Sequence, residues 1–125
     1  MLNVKCWVFK LKIKNNILLF VFLAVFSASS FATVNCSGTI ARVYVANGGD
    51  VVVWPSWSEE YHKICNLNSE WKSISTETCK AWSSIAIAAK VSQTLARAQY
   101  SAENSCSGIA TYAAAPAPSY FMLDK

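Results

Sequence analysis

The stretch TIARVYVANGGDVVVW, Thr39 to Trp54, decides how the chain is read. Thr39 to Ala46 alternates, with Ile40, Val43 and Val45 set among Ala41, Arg42 and Tyr44, and β-branched side chains recur throughout. Such side chains suit a pleated, half-buried surface. Asn47-Gly48-Gly49-Asp50 accepts the positive φ of a tight turn, and Val51-Val52-Val53-Trp54 supplies the returning strand. Residues 38–54 are therefore expected to form a β-hairpin. Pro55 has no N–H to give to a ladder and should end that strand or mark an edge.

Toward the C-terminus, Tyr61 to Leu67 reads as a third strand, with Tyr61, Lys63, Cys65 and Leu67 on one face and His62 and Ile64 on the other. Asn68 to Ile74 is polar and loop-like around Trp71. Ser75 or Thr76 can cap a helix, and Glu77 stands in its first turn, where the helix dipole favours an acid. The helix is expected from Thr76 to about Gln93, with Cys79, Trp82, Ile85, Ala86 and Ala89 as its core stripe. Ile87 and Val91 fall nearly opposite Trp82, so they face either a covering layer, such as the 113–118 arm, or a second copy of the chain. Leu95 to Tyr100 alternates as a fourth strand, Ser101 to Gly108 is a loop, and Tyr120 to Leu123 closes as a short fifth strand.

Three strands, a helix and two more strands is the order of an OB-like fold, in which the helix plugs a five-stranded Greek-key barrel between strands 3 and 4. The expected class is therefore α+β and β-rich, a single small domain spanning residues 33–125.

The chain has 125 residues, and residues 1–32 hold four of its eleven basic side chains (Lys5, Lys10, Lys12, Lys14) and no acid. Behind these lysines lies the apolar run Ile17 to Phe26, and then Ser30-Phe31-Ala32, which has small residues where a signal peptidase reads. A ten-residue apolar run is about half of what a membrane span needs. The residues before Cys36, Thr33-Val34-Asn35, lack the apolar character of a lipoprotein box. Residues 1–32 are expected to be a cleaved signal peptide and the product to be secreted or periplasmic. The whole +4 net charge belongs to this leader. A neutral mature chain lacks the basic footprint that nucleic acids or anionic membranes require.

Cys36, Cys65, Cys79 and Cys106 remain after cleavage. Four cysteines in a short exported chain read as two disulfides with three open pairings. No close-spaced cysteine pair exists, and His62 is the sole histidine, so neither metal nor any other cofactor is expected. The barrel order favours Cys65–Cys79, tying the third strand to the helix, and Cys36–Cys106, tying the first strand to the segment entering the last.

The run YHKICNL, followed by TCKAW, an Ala-rich stretch, YS, SC and PAPSYFML, resembles a set of short exported bacterial proteins with four cysteines. More distantly, Tyr61 to Tyr100 is similar to OB-fold B subunits of subtilase and pertussis-like AB-type toxins. That resemblance implies a ring-forming, glycan-binding module, and no glycan-binding motif transfers from it residue by residue.

His62 with Glu59, Glu60 and a serine has the residue types of an acid–base site, but nothing in the sequence places a nucleophile beside it. With no hydrolase, metalloprotease or nucleotide fingerprint, a surface strand histidine and a non-enzymatic protein are expected. Binding has better material. Trp57, Glu59 and Tyr61, with Trp71, are the candidate ligand contacts, since aromatic faces beside carboxylates suit sugars and peptide anchors. In the competing arrangement Trp54 and Tyr61 are packing residues and Trp57 alone is exposed. The expected activity is glycan or host binding; the alternative is an exported inhibitor that presents Asn68–Ile74 or Ser101–Ser105 to a partner enzyme or effector. Self-association through Ile87 and Val91 is open.

Overall fold

The computed structural model describes residues 32–125, so the expected signal peptide lies outside the described residues. Six strands and one helix follow in the order β1 (Thr33–Gly38), β2 (Ile40–Val45), β3 (Asp50–Pro55), β4 (His62–Asn66), α1 (Thr76–Ser92), β5 (Ala96–Ser101) and β6 (Tyr120–Leu123). They form two separate three-stranded antiparallel sheets, β1-β5-β6 and β2-β3-β4.

The expected five-stranded closed barrel is therefore incorrect. Closure requires every strand to be paired on both sides, whereas β1 and β6 end one sheet and β2 and β4 end the other. The helix follows the fourth strand because the sequence conceals an additional one. Thr33–Gly38 contains Asn, Ser and Gly, which strands disfavour. It nevertheless pairs in full register with β5, from Thr33 opposite Ser101 to Gly38 opposite Ala96.

One residue, Thr39, separates β1 from β2, so an almost continuous strand leaves one sheet and enters the other. The switch is held by Ser56, whose N–H donates to the Thr39 carbonyl (2.9 Å) and whose Oγ accepts from the Thr39 N–H (3.0 Å). Gly38 is required here, because a Cβ at this position would collide with Ser56 Oγ and press on the Trp57 ring.

The β2–β3 hairpin forms as the alternation requires. Its turn is closed by Gly49 N–H to Ala46 O and Ala46 N–H to Asp50 O, both 2.9 Å, and Gly49 adopts φ +92°. The third expected strand departs from simple alternation. A register shift between Val51 and Val52 pairs Val51 with Cys65 and Val52 with Lys63, and all five residues of β4 are buried. His62 is completely shielded from solvent, which corrects the expectation of a surface histidine.

Ser75 caps α1 by accepting the Thr78 N–H at 3.1 Å, with Glu77 in the first turn and Lys90 in the last. Gln93 ends it in the left-handed conformation, φ +56°. Its buried stripe, Cys79, Trp82, Ala86 and Ala89, joins Val51, Val53, Ile64, Tyr100 and Phe121 in one core that draws on both sheets. Ile87 and Val91 are left exposed, at 50% and 79%, so the 113–118 arm does not cover them.

Two disulfides secure the domain. Cys65–Cys79 joins β4 to the first turn of α1, and Cys36–Cys106 joins β1 to the loop after β5. They fit an oxidising compartment. Among the described residues, no helix is long and apolar enough to cross a membrane.

Candidate functional site

Cross-strand pairing assembles an aromatic face on the β2-β3-β4 sheet. Arg42 stands opposite Trp54 and Tyr44 opposite Val52, and Tyr61 enters from the residue before β4. The Tyr61 ring meets Trp54 edge-on with centroids 4.6 Å apart, meets Tyr44 edge-on at 5.7 Å, and stacks on Tyr112 at 5.5 Å. Arg42 lies over Trp54, 5.4 Å from the ring centroid, and its Nη1 donates to the Tyr61 hydroxyl at 2.8 Å. Edge-on and offset contacts are the arrangements that ring quadrupoles prefer, and the cation over the indole adds to them.

Tyr112 reaches this face through the backbone. Its N–H donates to Tyr61 O (2.7 Å) and its carbonyl accepts from Lys63 N–H (3.2 Å), a short parallel bridge along the free edge of β4. Tyr44 and Tyr112 remain 40% and 50% exposed, so the cluster presents ring faces and phenol groups to solvent. Desolvation, and after it the neighbouring Tyr112 and Tyr61, raises the Tyr44 pKa, which keeps its hydroxyl protonated.

A second feature adjoins on the same sheet. Trp71 is held between two lysines, Lys63 Nζ and Lys72 Nζ each lying 4.8 Å from its centroid. Lys63 also pairs with Asp50 at 2.6 Å, and Lys72 donates to the carbonyls of Ala113 (3.3 Å) and Ala115 (2.6 Å). The Lys63 hydrogen bond, foremost, holds the Asp50 carboxyl below its ordinary pKa. Trp71 and Ile74 exchange backbone hydrogen bonds, with Lys72 and Ser73 at positive φ between them, so this loop is a closed turn.

The four residues singled out from sequence are thus separated. Tyr61 is the centre of the aromatic face, and Trp71 sits in its lysine clamp. Trp57 packs against the core, and its indole Nε1 is buried without a partner. Glu59 is exposed at φ +53°, on the turn following β3. All three rings are part-buried: Trp57 packs against the core, while Trp54 and Tyr61 join the aromatic cluster. Arg42 and Tyr44 are not among the residues the sequence marks as ligand contacts, although their two-residue spacing puts both on one strand face. Tyr112 carried no sequence signal, since it lies in an irregular stretch and arrives by long-range backbone pairing.

His62 has two partners. Its Nδ1 lies 2.9 Å from the Ala110 carbonyl, which can only accept, so Nδ1 carries the proton. Nε2 is then the acceptor for the Ser58 hydroxyl, 2.5 Å away. The turn between β3 and β4 thus places a serine hydroxyl beside this histidine, which the sequence pattern does not announce. Burial lowers the His62 pKa, opposed by the Ala110 hydrogen bond and the charge of Glu60. Among the described residues, no group of three or more His, Cys, Asp or Glu side chains could hold a metal ion.

No protein-family model, curated protein or solved structure matches the chain.

Proposed function

We propose that the protein is an exported binding module whose ligand, a glycan, docks on the aromatic face of the β2-β3-β4 sheet. The observation that carries this reading is the gathering of Tyr44, Trp54, Tyr61 and Tyr112 with Arg42 on one partly exposed surface. The apolar faces of sugar rings rest on aromatic rings, while hydroxyl and guanidinium groups give directed hydrogen bonds. The two disulfides favour an oxidising destination, in keeping with the basic and apolar leader. A glycan array probed with the purified mature protein tests the reading. Binding to a restricted set of glycans, lost in Tyr112→Ala with the far-ultraviolet spectrum unchanged, is the expected result. Uniform absence of binding, or binding indifferent to both Tyr112→Ala and Tyr44→Ala, would overturn it.

A second reading, an exported inhibitor of an enzyme or effector, draws on the closed turn around Trp71. Asn66 Oδ1 accepts the N–H groups of Asn68 (2.7 Å) and Ser69 (3.0 Å), and the lysine clamp fixes the indole. A preordered loop loses little entropy on docking. A stoichiometric complex with a protein partner, abolished by Trp71→Ala and unaffected by Tyr112→Ala, would favour it over glycan binding.

A further inference from the structure

We propose that Ser58 is a nucleophile activated by His62, able to accept an acyl group from small carboxylic esters. Three observations converge on the turn between β3 and β4. Ser58 Oγ lies 2.5 Å from His62 Nε2, within the reach a general base requires. His62 Nδ1 is fixed by Ala110 O at 2.9 Å, which sets the tautomer that leaves Nε2 unprotonated. The carbonyl occupies the orienting place that a carboxylate holds in a Ser-His-Asp site.

The third observation is access. His62 is fully shielded, whereas Ser58 is partly exposed, so Ser58 is the member of the pair that solvent reaches. Glu59, the next residue, is held at φ +53°, and its N–H closes the turn on Pro55 O at 3.0 Å. A non-glycine residue in the left-handed region is sparsely populated backbone of the kind found where a side chain is presented for function. A buried histidine that only needed satisfying could have used the Ala110 carbonyl and any fixed donor. Here its second nitrogen faces a partly exposed hydroxyl with its acceptor lone pair.

The chemistry balances with water as the only co-reactant. Ser58 Oγ forms a bond to the ester carbonyl carbon as its proton passes to His62 Nε2. The carbon–alkoxide bond then breaks, and the imidazolium returns that proton to the departing alkoxide, which leaves as the alcohol. Water attacks the acyl-serine, His62 Nε2 takes its proton and delivers it to Ser58 Oγ, and the carboxylic acid is released.

A fluorophosphonate probe tests this directly, because Ser58 Oγ would form the phosphorus–oxygen bond as fluoride leaves and His62 takes the proton. Mass spectrometry of the mature, disulfide-bonded protein is expected to find the adduct on Ser58. It should form about a hundredfold faster than on exposed serines such as Ser107, the scale of general-base assistance. Ser58→Ala should remove the adduct and leave the fold intact. The rate in the wild type should fall on acidification only below pH 6.5, because burial holds the imidazole neutral to lower pH although the Ala110 hydrogen bond and the Glu60 charge pull the other way. Labelling of Ser58 no faster than of Ser107, or a rate indifferent to pH across that range, overturns the proposal. The pH profile serves as the test where His62→Gln fails to fold.

Discussion

Arg42 Nη1 donates a 2.8 Å hydrogen bond to the hydroxyl of Tyr61, nineteen residues away and immediately before β4, the far strand of the same sheet. The bond spans β3, so the guanidinium bridges two strands and fixes the ring on which Trp54, Tyr44 and Tyr112 lean. Tyr61→Phe removes only the acceptor, and since the pair is exposed the expected loss of stability is below about 1 kcal/mol. Tyr61→Ala removes three ring contacts as well, and at about 0.5–1.5 kcal/mol for each aromatic pair it should cost about 2–4 kcal/mol. Urea unfolding of the two variants measures both. Similar losses in the two would mean that the rings gain little from one another.

Acid should weaken the fold in two stages. Burial lowers the His62 pKa beneath its ordinary 6.5, so the unfolded chain takes up that proton first. Stability is therefore intact above pH 6.5 and falls as pH drops through the region beneath it. Asp50 acts in the same direction at lower pH: the Lys63 hydrogen bond depresses its carboxyl from 3.8, so its contribution is present above that value and is lost as pH falls through the depressed one. Urea midpoints at about pH 7.5 and about pH 5 should differ in the wild type and converge in His62→Gln. An equal slope in both proteins would assign the first stage to another group.

The two disulfides should contribute unequally. Cys65 and Cys79 are 14 residues apart and Cys36 and Cys106 are 70 apart, which in the loop-entropy account gives about 3 and about 4 kcal/mol. Paired alanine substitutions, Cys65→Ala with Cys79→Ala and Cys36→Ala with Cys106→Ala, should both lower the urea midpoint, the second pair more. The reverse order would show that the short bridge also holds packing in place, since both of its sulfurs lie in the core.

The hairpin and the helix were legible because each is written locally, the first in alternation around Gly48 and Gly49, the second in the Cys79, Trp82, Ala86, Ala89 spacing. The first strand was not. Nothing in Thr33–Gly38 announces a strand, and its order comes from long-range pairing with β5 and from the bridge to Cys106. That omission produced the barrel, since a chain with one fewer strand appears to place its helix where an OB-like fold does. The burial of His62 was hidden for a related reason: the segment at Ala110 and Tyr112 reaches it by long-range pairing along the edge of β4, which no local pattern shows. Within the candidate site, Tyr61 was readable as an aromatic among acids, while Tyr112 and Ser58 acquire their roles from partners that no local pattern names.

Asn66 offers the sharpest test of the β3–β4 junction. Its Nδ2 donates to Gly48 O (3.1 Å) and to Asp50 Oδ1 (2.6 Å), and its Oδ1 accepts the N–H groups of Asn68 and Ser69. One buried amide therefore ties the hairpin turn to the loop that carries Trp71. Asn66→Ala removes all four bonds, although Asp50 keeps Lys63 and the other three groups lie on exposed residues that water can reach, so at about 0.5–1.5 kcal/mol for each net hydrogen bond a loss of about 2 kcal/mol is expected. Asn66→Asp keeps the shape and the acceptor but turns the donor into a carboxylate oxygen facing Asp50 and the Gly48 carbonyl. It should be worse than alanine at neutral pH, because two carboxylates in contact repel each other. It should recover on acidification to about pH 4, where one carboxyl holds a proton and donates again. Urea midpoints of the two variants at neutral and acid pH decide it: an aspartate variant that is less damaging than alanine at pH 7 would mean that the turn opens to water and the amide is not its fastening.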